Sequence, residues 1–123
     1  MINTTRAAGP LDMGGQPARV VPNTHVSYVP TAAPIARRSA LRAVARQNGV
    51  FDPTMPVGED VDLVWRLVEA DEVVRYDPDQ VAWHDTRTTI RGWLGRKYLY
   101  GTGGAGLAVR HGRKGAPAVM TAR

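Results

Sequence analysis

The sequence predicts a mixed α/β fold, and three observations predict it. Val61, Val64, Trp65 and Val68 recur at i, i+3, i+4 and i+7, a helix face that Leu63 and Leu67 widen. Val73-Val74-Arg75-Tyr76 and Val81-Ala82-Trp83-His84 are short β-rich runs on either side of an Asp77-Pro78-Asp79 turn. Ile90, Trp93, Leu94 and Tyr98 then mark a second amphipathic helix over 89–100, whose other face carries Arg91, Arg96 and Lys97.

Each element has a local reason. Residues 1–25 carry Pro10, Pro17 and Pro22 and almost no periodicity, so they read as an irregular lead-in or linker. His25-Val26-Ser27-Tyr28-Val29 alternates polar and apolar, which predicts a short half-buried strand ended by Pro30. Arg37 to Gln47 is rich in Ala, Arg and Leu, and Asn48-Gly49 is a helix stop. Asp52-Pro53 and Met55-Pro56 force a non-helical connection. The next helix opens at Gly58 and, being apolar on most sides, is mostly buried. After Tyr100 the chain is Gly-rich and is expected to fray into a basic tail, residues 101–123.

Composition narrows the chemistry. The 123 residues suffice for about one domain with one modest core. Cysteine is absent, which excludes disulfides, Cys-ligated zinc, iron–sulfur clusters and thiol catalysis. Apolar residues never run more than three together, too few for a spanning helix. Met1 to Pro10 shows no secretory pattern, so the cytoplasm is the expected compartment.

The net charge of +5 hides a strong asymmetry. Residues 1–50 hold six arginines against Asp12, and residues 51–85 hold ten acids against Arg66 and Arg75. From Thr86 onward there are eight Lys/Arg and no acid. A DNA binder gathers its positive charge on one face, so an acidic centre between basic arms argues against one. It suits carboxylates gathered for chemistry, with cations nearby for an anionic group.

Glu59-Asp60-Val61-Asp62 heads the buried helix. The plain structural reading is that three acids in a first turn complement the helix dipole, with Asp62 and Arg66 as an i,i+4 pair. The functional reading makes one carboxylate a general base, held rigidly and partly desolvated. His84 closes a strand that follows the acidic helix; it is either a satisfied surface residue or one ligand of a metal that needs more.

Two patterns are decoys. Gly101-Thr102-Gly103-Gly104-Ala105-Gly106 spells a dinucleotide fingerprint, but it follows a helix and has no acid downstream. Asp60-Val61-Asp62 and Asp77-Pro78-Asp79 spell D-x-D, but one lies inside a helix and the other in a Pro turn. The basic helix 89–100 reads as a solvated face, a diphosphate clamp, or a helix resting on an anionic membrane surface.

Taken in order, five stretches carry a family resemblance: 26–33, Arg37-Arg38-Ser39-Ala40-Leu41, Phe51-Asp52, Gly58 to Leu67, and His84-Asp85 through Tyr98-Leu99-Tyr100-Gly101. Together they resemble the C-terminal half of a family 2 glycosyltransferase catalytic domain, and most closely the mycofactocin-system glycosyltransferases. Gly58-Glu59-Asp60-x-Asp62-Leu63 with Arg66 specifies the superfamily, whereas the Arg87 to Trp93 run and Tyr98 to Gly101 point to the narrower group.

The resemblance implies the acceptor-side half of a GT-A fold over 26–100, a nucleotide-sugar donor and an inverting mechanism. Asp60 is then the base, with Asp62 and Arg66 orienting it and with Glu59 and Trp93 on the acceptor side. Arg87 and Arg91 become candidates for the diphosphate. His84 becomes a ligand of a divalent metal (Mn or Mg) that neutralises the leaving group. The implied donor is UDP-glucose and the implied acceptor a peptide-derived redox cofactor.

The donor-binding strands and the family's own D-x-D have no counterpart here, so the chain is expected to be a fragment, inactive alone with its metal site incomplete. The rival readings are a winged-helix DNA-binding module, and a non-catalytic fragment that docks another chain. The first is disfavoured by the long Val50–Gly58 connection and by acids at the head of its would-be recognition helix.

Overall fold

A computed structural model describes residues 13–80 and 90–112. Its elements run β1 (Ala18–Arg19), α1 (Arg38–Val44), α2 (Glu59–Glu69), β2 (Arg75–Tyr76) and α3 (Ile90–His111). The architecture is mixed helix and small sheet, compatible with the α/β expectation.

Helix α2 is the hub. Residues 62 to 67 are all buried, as expected of a mostly buried helix, although Val61 and Val68 of its periodic face are only partly so. Three of its four acids, Glu59, Asp60 and Asp62, lie in the first turn, where the helix dipole favours them. Gly58 precedes it at φ 87, a left-handed conformation that costs a glycine little. A Cβ there would also come within 3.2 Å of Leu107 Cδ1. On one side α2 packs Leu63 and Leu67 against Ala40 and Val44 of α1. On the other, Val64 and Trp65 join Met13, Val20, Val26, Met55 and Leu107.

Several expectations are corrected. The lead-in is not wholly irregular: Ala18 and Arg19 pair antiparallel with Tyr76 and Arg75, and Val20 N–H adds a bond to the Val74 carbonyl at 2.9 Å. Val20 is 1% exposed, so this segment is part of the core. The predicted strand at 25–29 does not form. Val21 N–H bonds instead to the Val26 carbonyl across a turn in which Asn23 has φ 64. The alternation there reflects burial of Val26 without a ladder partner.

Helix α1 is shorter than predicted. It ends at Val44, and Arg46 and Gly49 then exchange two backbone bonds around Gln47-Asn48. The Gly49 stop, at φ 109, therefore serves that turn rather than a helix C-terminus. Of the strand predicted over 73–76 only Arg75–Tyr76 forms. The Asp77-Pro78-Asp79 turn is present, with Asp79 N–H donating to Asp77 Oδ1 at 3.0 Å. The second strand, 81–84, lies outside the described residues.

The largest correction is at the C-terminal side. The Gly-rich stretch after Tyr100 does not fray: α3 continues through it to His111. Gly103 explains part of this, because a Cβ at that position would lie 3.0 Å from the Val57 carbonyl oxygen. Leu107 and His111, one and two turns further on, are buried against α2. No helix among the described residues is long and apolar enough to cross a membrane.

Candidate functional site

The three acids that open α2 are put to different uses. Asp62 is fully buried. Its Oδ2 accepts from Arg66 Nε at 2.8 Å, its Oδ1 lies 2.9 Å from His111 Nε2, and Arg46 stands 3.8 Å away. Such compensation is what a desolvated carboxylate requires.

Arg66 spends the rest of its guanidinium on the Val44 carbonyl, which ends α1, and on the Val50 carbonyl at 2.6 Å. His111 places its other ring nitrogen 3.0 Å from Glu69 Oε1, and its ring meets Trp65 edge-on at 5.3 Å. One buried carboxylate thus ties α1, α2 and α3 together. The predicted i,i+4 pair is present. Its bonds run to the interior of the fold rather than to the Asp60 carboxylate, which it was expected to orient.

Asp60 lies two residues earlier and half-exposed. Its Oδ1 accepts from the Val61 N–H at 2.8 Å. Glu59 is also half-exposed at the helix start. Successive helix positions diverge by about 100°, so anchoring Asp62 inward turns Asp60 to another face. Its charge is felt at Tyr28. Burial pushes the Tyr28 phenol above its ordinary pKa, and the negative charge of Asp60 and the neighbouring Tyr100 push it further. The segment bearing Tyr28 is pinned to α2, because Trp65 Nε1 donates to the Ser27 carbonyl at 2.7 Å.

A second polar cluster centres on Asp52, whose carboxyl is held down to about 2 by hydrogen bonds from the Thr54 hydroxyl and N–H and from Arg110. The Arg110 bond is 2.8 Å long and fastens the end of α3 to the connection before α2.

The remaining predicted site residues are only partly placed. His84 and Arg87 lie outside the described residues. Arg91 is exposed on the first turn of α3, and the side chain of Trp93 lies outside the described set. Among the described residues no three His, Cys, Asp or Glu side chains converge as a metal site. That part of the chain does not by itself fit a divalent cation.

His111 is what sequence reasoning missed as part of this region. Tyr100, Gly103, Leu107 and His111 continue one helix face, a signal masked by the glycines among them.

The chain is similar to a glycosyltransferase. Over 111 residues, 90% of its length, it is 51% identical to Pre-mycofactocin glycosyltransferase of Mycobacterium tuberculosis, in each of two strains. Those residues make up 23% of that protein, so the chain spans about a quarter of the length of the curated relatives it matches. The resemblance to mycofactocin glycosyltransferases carried by the motifs is thus a measured similarity. No family model matches the chain, and no solved structure does.

Proposed function

We propose that this chain is the acceptor-side piece of a GT-A glycosyltransferase catalytic domain acting in mycofactocin biosynthesis, with Asp60 as its base. The observation that carries the reading is the 51% identity to Pre-mycofactocin glycosyltransferase over 90% of the chain. The division of labour at the head of α2 supports the role given to Asp60, since Asp62 is consumed by the interior while Asp60 stays accessible.

In this reading Asp60 takes the proton of an acceptor hydroxyl as that oxygen forms a bond to the anomeric carbon of a nucleotide sugar, UDP-glucose. The bond from that carbon to the diphosphate breaks on the opposite face, and UDP leaves with the bonding electrons. Configuration inverts in a single displacement. Arg87 and Arg91 are the cations this chain offers to the diphosphate. His84 would be this chain's ligand to a divalent cation that, when bound, would neutralise the leaving diphosphate. Ile90, Leu94 and Tyr98, all exposed on one face of a helix without acids, support contact of α3 with an anionic membrane surface.

The test replaces the matched 111 residues of the M. tuberculosis protein with this chain and measures glucose transfer from UDP-glucose to pre-mycofactocin. The chimera transfers, the isolated chain does not, and Asp60→Asn lowers chimera turnover by about 10²–10⁴-fold, the usual worth of a positioned base. Near-parental turnover in Asp60→Asn overturns the assignment.

A further inference from the structure

Helix α3 meets the head of α2 along one stripe. Gly103, Leu107 and His111 are spaced by four, so they share a face of that helix. A Cβ added to Gly103 would lie 3.0 Å from the Val57 carbonyl oxygen, and one added to Gly58 would lie 3.2 Å from Leu107 Cδ1. His111 Nε2 reaches Asp62 Oδ1 at 2.9 Å. The stripe therefore touches positions 57, 58 and 62 in turn, and between those points lie Glu59, Asp60 and Val61.

None of these three contacts is made with Asp60, yet two features pass the grip on to its carboxylate. Asp60 Oδ1 accepts from the Val61 N–H at 2.8 Å, so the side chain is folded onto the backbone of the first turn and moves with it. Val61 in turn packs against the core cluster that contains Leu107. The brace itself is tight: Leu107 is 8% exposed, and the His111 side chain 2%. A turn held before and after by close-packed groups has little freedom to rotate. Rigidity matters at this position, because a general base acts only within hydrogen-bond reach of the proton it takes.

We infer that Leu107 and His111 are positioning residues: by bracing Gly58 and Asp62, they hold the first turn of α2 so that the Asp60 carboxylate faces the acceptor hydroxyl. The inference rests on the glycosyltransferase reading and adds to it the residues that aim its base.

A double-mutant cycle in the chimera tests it. Leu107→Ala lowers kcat by about 10–10²-fold, the usual cost of a small misplacement, and leaves the KM for UDP-glucose and for pre-mycofactocin unchanged. His111→Ala acts in the same direction, and Leu107→Met, which conserves volume, recovers most of the loss. Leu67→Ala is the control. It makes the same deletion at the same 8% exposure, but against α1, and it keeps the parental kcat at a temperature where both variants are folded. In the Asp60→Asn background the base is already gone, so Leu107→Ala costs nothing more. Leu107→Val repeats the cycle with a smaller cavity, should the alanine variant fail to fold.

An equal loss in both backgrounds marks a merely structural role and overturns the brace, leaving Asp60 as the base. Parental kcat in both Leu107→Ala and His111→Ala does the same. An inactive parental chimera, or near-parental turnover in Asp60→Asn, overturns the glycosyltransferase reading, and the brace falls with it.

Discussion

Arg66 shows how much can rest on one side chain. Its three donors reach the Asp62 carboxylate, the last carbonyl of α1 and the Val50 carbonyl in the connection to α2. Arg66→Met preserves the apolar stem but leaves two carbonyls without this donor and weakens the compensation of a buried charge. Removing one member of a buried pair costs about 3–5 kcal/mol. Small domains have about 5–15 kcal/mol in total, so most of the stability is at stake. Urea denaturation followed by circular dichroism should show a large drop in midpoint, and a shift of a few tenths of a kcal/mol would contradict this account. The pairing itself was legible, since Asp62 and Arg66 are one turn apart. The third partner was not, because His111 is 49 residues away and no local pattern announces it.

At the scale of elements, α3 raises the sharper question. Glycine costs a helix interior about 1 kcal/mol relative to alanine, so this glycine-bearing helix depends on its docking. Gly103 is where docking crowds a side chain, since an added Cβ would lie 3.0 Å from the Val57 carbonyl oxygen. Gly103→Ala therefore loses more by pushing Val57 aside than it gains in helix propensity. The expected result is a net destabilisation of about 1–3 kcal/mol, the usual cost of overpacking. Gly101→Ala, where a Cβ meets nothing within 4 Å, should be neutral or stabilising in the same thermal melt.

The contrast explains which elements could be read in advance. Helix α2 announces itself through its own periodicity and charges. Strand β1 is two residues long and exists because residues 75–76 supply a ladder, a partner more than fifty positions away. The alternation at 25–29 looked strand-like but found no such partner. As for the candidate site, the acids that open α2 were legible from the sequence, whereas the burial of Asp62 against His111 arises only when separated elements pack.

For the molecule as a whole, the segregation of charge matters more than its sum. The cations after Thr86 and the exposed Ile90, Leu94 and Tyr98 lie on the same stretch of chain. Sedimentation with vesicles should show binding to phosphatidylglycerol-containing membranes, weaker binding as salt screens the charges, and little binding to phosphatidylcholine alone. Substituting Ile90→Ser, Leu94→Ser and Tyr98→Ser together should lower partitioning by about tenfold. Equal binding by that variant would assign the attraction to charge alone.

Among the described residues, α3 is gripped at Gly103, Leu107, Arg110 and His111, while the turns bearing Ile90, Leu94 and Tyr98 project from that grip. Mechanically it is a beam clamped at one end. A load on the far tip is felt as torque at the fulcrum. Whatever seats the tip thereby loads the contacts of Gly103 and Leu107 with Val57 and Gly58, the residues that lead into α2.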